Sequence, residues 1–209
     1  RGDVVGAIAK FEEAVEDSLL KFGRFTIPTF FKAQFVNQRQ EALLKNTAKM
    51  LLSAADKIVH LYFTEPLFKQ FFRLSPEAEE LVAIDPGYPR NIVVGRLDSF
   101  IEGMNLKTVE LNTDSPAGMG YADILEDILF QSEEAASFLT QHHVKREHRC
   151  AKLLQALLET YGEFSGAKSK PTIAIVDWRT VRTRPEFEYL QQFFESEGHK
   201  TIIADPRDL

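Results

Sequence analysis

The sequence predicts an α/β protein with a helical N-terminal region, a small mixed sheet and a C-terminal βαβ unit. Three observations carry this. Apolar residues recur at helical spacing through residues 1–84. After the turn cluster Asp85-Pro86-Gly87 the pattern changes to short β-type runs that reverse at Gly103-Met104-Asn105. Residues 171–209 then set a helix between two continuous β-branched runs, as in parallel strands joined by a crossover. The expected regions are 1–84, helical; 85–166, a hairpin with helices; and 171–209, the βαβ unit.

Val5, Ile8, Phe11, Val15 and Leu19 mark an acidic first helix that Gly23 can end. Residues 31–63 read as one long helix, with Phe35, Leu43, Leu51, Leu52 and Ile58 in its apolar stripe and a solvated opposite face. A Phe-rich helix follows at 66–72; for the rings of 63–72 inner packing is the expectation, and a partner-facing surface the alternative. Ser75-Pro76 reads as an N-cap followed by proline at the first helical position, with Glu77, Glu79 and Glu80 near the positive helix end. Residues 92–94 and 100–101 read as strand on either side of Arg96 and Asp98, and 106–111 as the returning strand. Helices are expected at 121–130, 132–142 and 147–161, then a polar linker at 165–170. Strands at 172–176 and 200–204 enclose a helix at 186–196. Two parallel strands cannot cover both faces of their own sheet, so further strands are expected to join them. No internal repeat is visible.

The composition, 44% hydrophobic and 27% charged, is that of a folded chain without low-complexity tracts. A net charge of -6 argues against a nucleic-acid surface, which needs clustered Lys and Arg. No apolar run approaches the length of a membrane span, and no signal-peptide pattern precedes the first helix. Cys150 is the only cysteine, so an internal disulfide is impossible. A cytoplasmic location is the expectation, with no membrane or nucleic acid among the partners.

The residues that can carry chemistry gather in 96–121. Side chains at i and i+2 share one side of a strand, so Glu110 and Asn112 project together, as do Arg96 and Asp98. A carboxylate beside an amide oxygen suits Mg²⁺, and an arginine fork suits a carboxylate or phosphate. The same residues also read as a cross-strand ion pair on a solvated face, with Asn112-Thr113-Asp114 forming a turn. Ser115-Pro-Ala-Gly-Met-Gly120 feeds a helix and can offer backbone N–H groups to an anion; helix-entry packing explains its glycines equally well.

RLD followed by VELNTDSPAGMG resembles the circularly permuted branch of the ATP-grasp ligases, the glutathione-synthetase-like and glutathionylspermidine-synthase-like enzymes. The C-terminal βαβ segment looks like the substrate-binding segment of that family. The similarity covers residues 92–121 and 172–209, and the N-terminal helices add little to it. The resemblance implies an ADP-forming, Mg²⁺-dependent carboxylate–amine ligase. In such enzymes a carboxylate attacks the γ-phosphate of ATP, and an amine captures the acyl phosphate. It implies Glu110 and Asn112 as metal ligands, Asn112 also facing the phosphates of ATP, and Arg96 and Ser115 as contacts to the acyl substrate. No residue is assigned as a catalytic acid or base. The eukaryotic members suggest a homodimer. In the family a glycine-rich flap and further ATP contacts lie C-terminal to the region matched, so these residues are expected to be an N-terminal portion that is inactive alone. A non-catalytic ligand-binding or scaffolding domain, with Arg96, Asp98, Glu110 and Asn112 as a structural cluster, is the alternative.

Where the family places Glu, Asn and Gln after the first strand of the βαβ segment, this chain has Trp178, Arg179, Thr180, Arg182 and Arg184, which leaves the amine open. These arginines suit either an anionic ligand or a solvated loop. His142, His143 and His148 with Glu147 read as a surface helix end rather than a metal site. Cys150 reads as buried packing, and Trp178 as core.

Overall fold

Among the described residues the sheets are three separate pairs of strands rather than one mixed sheet: β1 (Lys21–Phe22) with β2 (Phe25–Thr26), β3 (Arg96–Glu102) with β4 (Asn105–Asn112), both antiparallel, and β5 (Ile173–Val176) with β6 (Thr201–Ala204), parallel. The rest of the mixed α/β structure is mostly helix: α1 (Val4–Glu16), α2 (Gln38–Thr64), α3 (Pro66–Phe72), α4 (Pro76–Val82), α5 (Met119–Gln131), α6 (Glu133–Gln141), α7 (Arg149–Glu163) and α8 (Arg184–Ser196). The structure is a computed structural model that describes residues 4–164, 166–167 and 170–209. The linker read at 165–170 includes Ser165, Lys168 and Ser169, which lie outside the described residues. The chain divides into two compact units, one from Arg1–Gln34, Ala117–Gln155 and Lys168–Leu209, the other from Phe35–Pro116 and Ala156–Ala167.

The first unit is built on α1, whose buried Ala7, Phe11 and Val15 lie four residues apart on one face. Phe11 and Val15 form a core with Leu20 and Ile124, and Phe31 packs on Phe11 at 5.2 Å between ring centroids. Helix α1 ends at Glu16, earlier than Gly23; Gly23 instead turns the β1–β2 hairpin at φ 66° and donates its N–H to Arg182 O (2.6 Å). Between β5 and β6 the chain forms α8, which buries Leu190 and Phe194 and packs against β6.

In the second unit, helix α2 starts later than the sequence pattern suggested. Phe35 lies outside the helix and is exposed, because α2 begins at a capping box: Asn37 Oδ1 accepts from the N–H groups of Arg39 and Gln40, and Gln40 Oε1 accepts from Asn37 N–H. Gln40 Nε2 also donates to Gly103 O (3.0 Å), tying the helix start to the turn of the β3–β4 hairpin. Ser75 caps α4 through Ala78 N–H, with Pro76 first in the helix. Residues 92–94 form no strand; β3 starts at Arg96. The Phe-rich helix α3 buries nothing, contrary to the packing expected of it. No helix among the described residues is long and apolar enough to cross a membrane.

Candidate functional site

A β-bulge decides what the β3–β4 hairpin presents. Ser99 pairs with Thr108, but the next pair is Asp98 with Glu110, so Val109 is an extra residue in β4. Leu106 and Thr108 lie with Leu97, Ser99 and Ile101 on the face toward α2, around a cavity of about 400 Å³ that Leu44, Lys45, Thr47 and Ala48 also line. Without the bulge the two-residue period would carry Glu110 and Asn112 onto that face as well. With it, Leu111 stays opposite Leu97, while Glu110 and Asn112 turn to the side of Asp98 and Arg96.

The four polar residues named from the sequence are therefore brought together, within one unit. Arg96 directs its Nε and one terminal nitrogen at Asp98 (2.8 and 3.1 Å), and these bonds hold the Asp98 carboxyl below the usual carboxylate range. The ion pair expected between Arg96 and Glu110 is not the one formed; Glu110 lies directly across from Asp98 and Asn112 across from Arg96. The Asn112 amide bridges the two pairs: its nitrogen donates to Glu110 Oε1 (3.1 Å) and its oxygen accepts from Arg96 Nη2 (3.1 Å). Turned over, the same amide would set its oxygen 3.1 Å from Glu110 Oε1 and its nitrogen against Arg96 Nη2, donor to donor, so a Mg²⁺ ion held by Glu110 and Asn112 would require Arg96 to turn away. Among the described residues no group of three or more His, Cys, Asp or Glu side chains is placed to hold a metal.

Ser115 lies on the same unit, exposed, at φ 41°. It precedes Pro116, whose ring normally forces extended backbone on the residue before it, so the left-handed conformation is strained.

The glycine loop that follows does bind an anion, and the chain supplies it. Glu186 of α8, 1% exposed, accepts from Gly118 N–H through both oxygens (2.8 and 3.0 Å) and from Gly120 N–H (2.9 Å). Gly118 stands at φ 110°, and a Cβ on Gly120 would meet Tyr189 at 3.0 Å and Glu186 at 3.1 Å. Gly118 is thus required by its positive φ, and Gly120 by the close approach of Tyr189 and the carboxylate. Tyr121, next in the helix, has its hydroxyl pushed up to about 12 by burial and by the Glu186 charge, and donates to Lys21 O.

Two further carboxylates use the same device, and none of the three stood out in the sequence, because a buried acid at an N–H cluster leaves no periodic trace. Asp123 of α5 accepts from Arg149 N–H (3.1 Å) and Cys150 N–H (2.9 Å) at the start of α7. Burial alone would raise its pKa; these amides, the Cys150 thiol and the Arg149 guanidinium outweigh that and hold it low. Cys150, 1% exposed, has its thiol pushed far up by burial, then by the Asp123 charge and the hydrogen bond to it, so the packing role holds. Asp205, after β6, accepts from the N–H groups of Arg179 and Arg207 and from the Arg207 guanidinium, which keeps it well below the carboxylate range.

The arginines after β5 have internal partners. Arg179 pairs with Asp208 (2.7 Å), Arg184 with Glu188 (3.2 Å), and Arg182 lies over the Phe22 ring. Trp178 is not core: it is 58% exposed with Arg207 over its ring at 5.5 Å. No family model, curated protein or solved structure matches the chain.

Proposed function

We propose that this chain carries the metal and acyl-substrate wall of an ATP-dependent carboxylate–amine ligase of the permuted ATP-grasp kind. The observation that supports it is the Val109 bulge, which sets Glu110, Asn112, Asp98 and Arg96 on one open face. In this reading Glu110 and Asn112 hold Mg²⁺, and Asn112 also faces the phosphates of ATP. The ion supplies charge neutralisation for phosphoryl transfer to the acyl carboxylate. Arg96 orients that carboxylate, exchanging its bonds to Asp98 for bonds to the substrate, and Ser115 closes on it from the strained loop. The β5–α8–β6 segment serves as the βαβ substrate-binding unit, with a small molecule or peptide as carboxylate donor and an amine as acceptor. Neither nucleic acid nor membrane is a partner, and the cytoplasm is the place of action.

A second reading is favoured by one observation: Arg96, Asp98, Glu110 and Asn112 satisfy one another without any ligand. The cluster then has a structural role in a non-catalytic binding or scaffolding domain. Calorimetry of the intact protein with Mg·ATP separates the two. The ligase reading expects saturable heat that falls at least tenfold in affinity, about 1.4 kcal/mol, in Glu110→Ala. Equal binding in the variant, or none in the wild type, favours the structural cluster.

A further inference from the structure

We propose that the β1–β2 hairpin and the turn after β5 form a site for the phosphate monoester group of a small ligand, gripped by Arg24 and Arg182. The observation that points to it is an imbalance among the arginines of the first unit. Arg146, Arg149, Arg179, Arg184 and Arg207 each hold a carboxylate. Among the described residues neither Arg24 nor Arg182 does. Each guanidinium lies over a phenyl ring instead, Arg24 over Phe25 at 4.9 Å and Arg182 over Phe22 at 5.7 Å. A phenyl ring attracts a cation but carries no net charge, so both guanidiniums keep their charge and their N–H edges for an anion.

The hairpin brings the two together. Phe22 and Phe25 stand directly opposite each other across its strands, so their rings share one face. Gly23 N–H donates to Arg182 O (2.6 Å), and a Cβ on Gly23 would stand 3.7 Å from Arg182 Cγ. The Arg182 stem therefore runs along the turn that Arg24 completes. The hairpin is itself fixed: the fully buried Leu20 roots it in the core, and the Tyr121 hydroxyl donates to Lys21 O (2.8 Å). At its base Glu16 is engaged by Thr26 and Lys21. Arg182 also stands two residues before α8, whose N-cap residue Thr183 supplies no side-chain cap, so the helix dipole adds to the attraction for an anion. Groups held in place in this way lose little entropy when a ligand binds.

Charge and size select the occupant. Two guanidiniums beside a helix N-terminus place more than one positive charge at one spot. A carboxylate answers one of them, whereas a phosphate monoester brings nearly two negative charges and three acceptor oxygens, enough for both forks. A nucleic-acid strand needs a track of open cations along its backbone; here the neighbouring Arg179, Arg184 and Arg207 are already held by Asp208, Glu188 and Asp205.

The site belongs to the first unit and uses none of Arg96, Asp98, Glu110 or Asn112, so it stands or falls separately from the ligase reading. Titration of the intact protein with glycerol 3-phosphate, followed through the arginine Nε–H signals in NMR, tests it. The signals of Arg24 and Arg182 are expected to shift together and saturate, with half-saturation at about 1–5 mM. Arg24→Gln and Arg182→Gln, each read at the remaining arginine, are expected to weaken binding about fivefold or more. Thermal unfolding of both variants should match the wild type, because both side chains are exposed. Acetate is expected to bind about tenfold more weakly than the phosphate ester. Absence of saturation at about 20 mM glycerol 3-phosphate overturns the proposal. So does binding that both substitutions leave intact, acetate binding equal to that of the ester, or tighter binding of a short oligothymidylate or of anionic phospholipid vesicles.

Discussion

Glu186 shows how a buried charge is kept in this chain. Its carboxylate is removed from water and compensated by two backbone N–H groups at the start of α5, where the helix dipole also favours a negative charge. Removing it leaves those donors buried and unpaired, so Glu186→Ala is expected to cost about 2–4 kcal/mol in urea unfolding. Amide exchange should quicken at Gly118 and Gly120 beyond the global change. A variant as stable as the wild type would mean that water replaces the carboxylate without loss. Cys150 supports a pH prediction. Its thiol is raised in the folded state, so its contribution to stability is complete below the unfolded thiol pKa, about 8.5, and declines as pH rises above it. Wild-type stability is expected to fall more steeply than that of Cys150→Ala from pH 8 to 10. Iodoacetamide should label Cys150 in urea but not in buffer at pH 7.5; rapid labelling of the folded protein would contradict the buried, hydrogen-bonded thiol. That Arg96 sides with Asp98, and Glu110 with Asn112, was legible from i, i+2 spacing; that the two pairs share one face was not, because it depends on the bulge. The amide-capturing Glu186 and Asp123 were not, since each owes its role to a turn of chain far away in sequence; Asp205 adds the distant Arg179 N–H to its local bonds with Arg207.

At the scale of elements, the hairpin shows both the reach and the limit of pattern reading. Gly103-Met104 marked the turn correctly, and Gly103 takes a positive φ of 58° there. The spacing argument alone, however, would have left Glu110 and Asn112 on the same face as Leu106 and Thr108. Only the extra residue at Val109 separates polar from apolar, and a bulge has no propensity signature of its own. Deleting Val109 should therefore close the bulge and keep the pairs Asp98–Glu110, Leu97–Leu111 and Arg96–Asn112, with both polar side chains still on the Arg96 side. Val109→Ala, at an exposed position, should stay within about 0.5 kcal/mol of the wild type in thermal unfolding. A large loss of stability on truncating this exposed side chain would contradict the placement of Val109 outside the packed face. The start of α2 was misread for a similar reason: Phe35 continued the apolar rhythm, but the Asn37–Gln40 box fixes where the helix begins. Helices α3, α4, α5 and α8, by contrast, lay close to where proline, cap and periodicity placed them.

For the whole molecule, the mixed α/β class was legible because helix-period and strand-period segments alternate cleanly in the sequence. The small sheets were harder to foresee, because strand pairing across distant segments is set by tertiary contacts rather than local pattern. The same limit applies to exposure. Phe63, Phe71, Phe72 and Trp178 have the residue types of a core and lie at the surface, since hydrophobicity predicts burial but not what supplies it. The candidate site requires no long-range assembly: Arg96, Asp98, Glu110, Asn112 and Ser115 belong to one unit. Its central claim, that Glu110 and Asn112 face a divalent cation, is tested most directly by Mn²⁺, which takes the same oxygen ligands as Mg²⁺ and broadens nearby NMR signals. With Mn·ADP at a small fraction of the protein concentration, the account predicts selective loss of the amide signals of residues 96–98 and 110–112 in the wild type, and their retention in Glu110→Ala. Uniform broadening along the chain, or the same selective loss in Glu110→Ala, would contradict it.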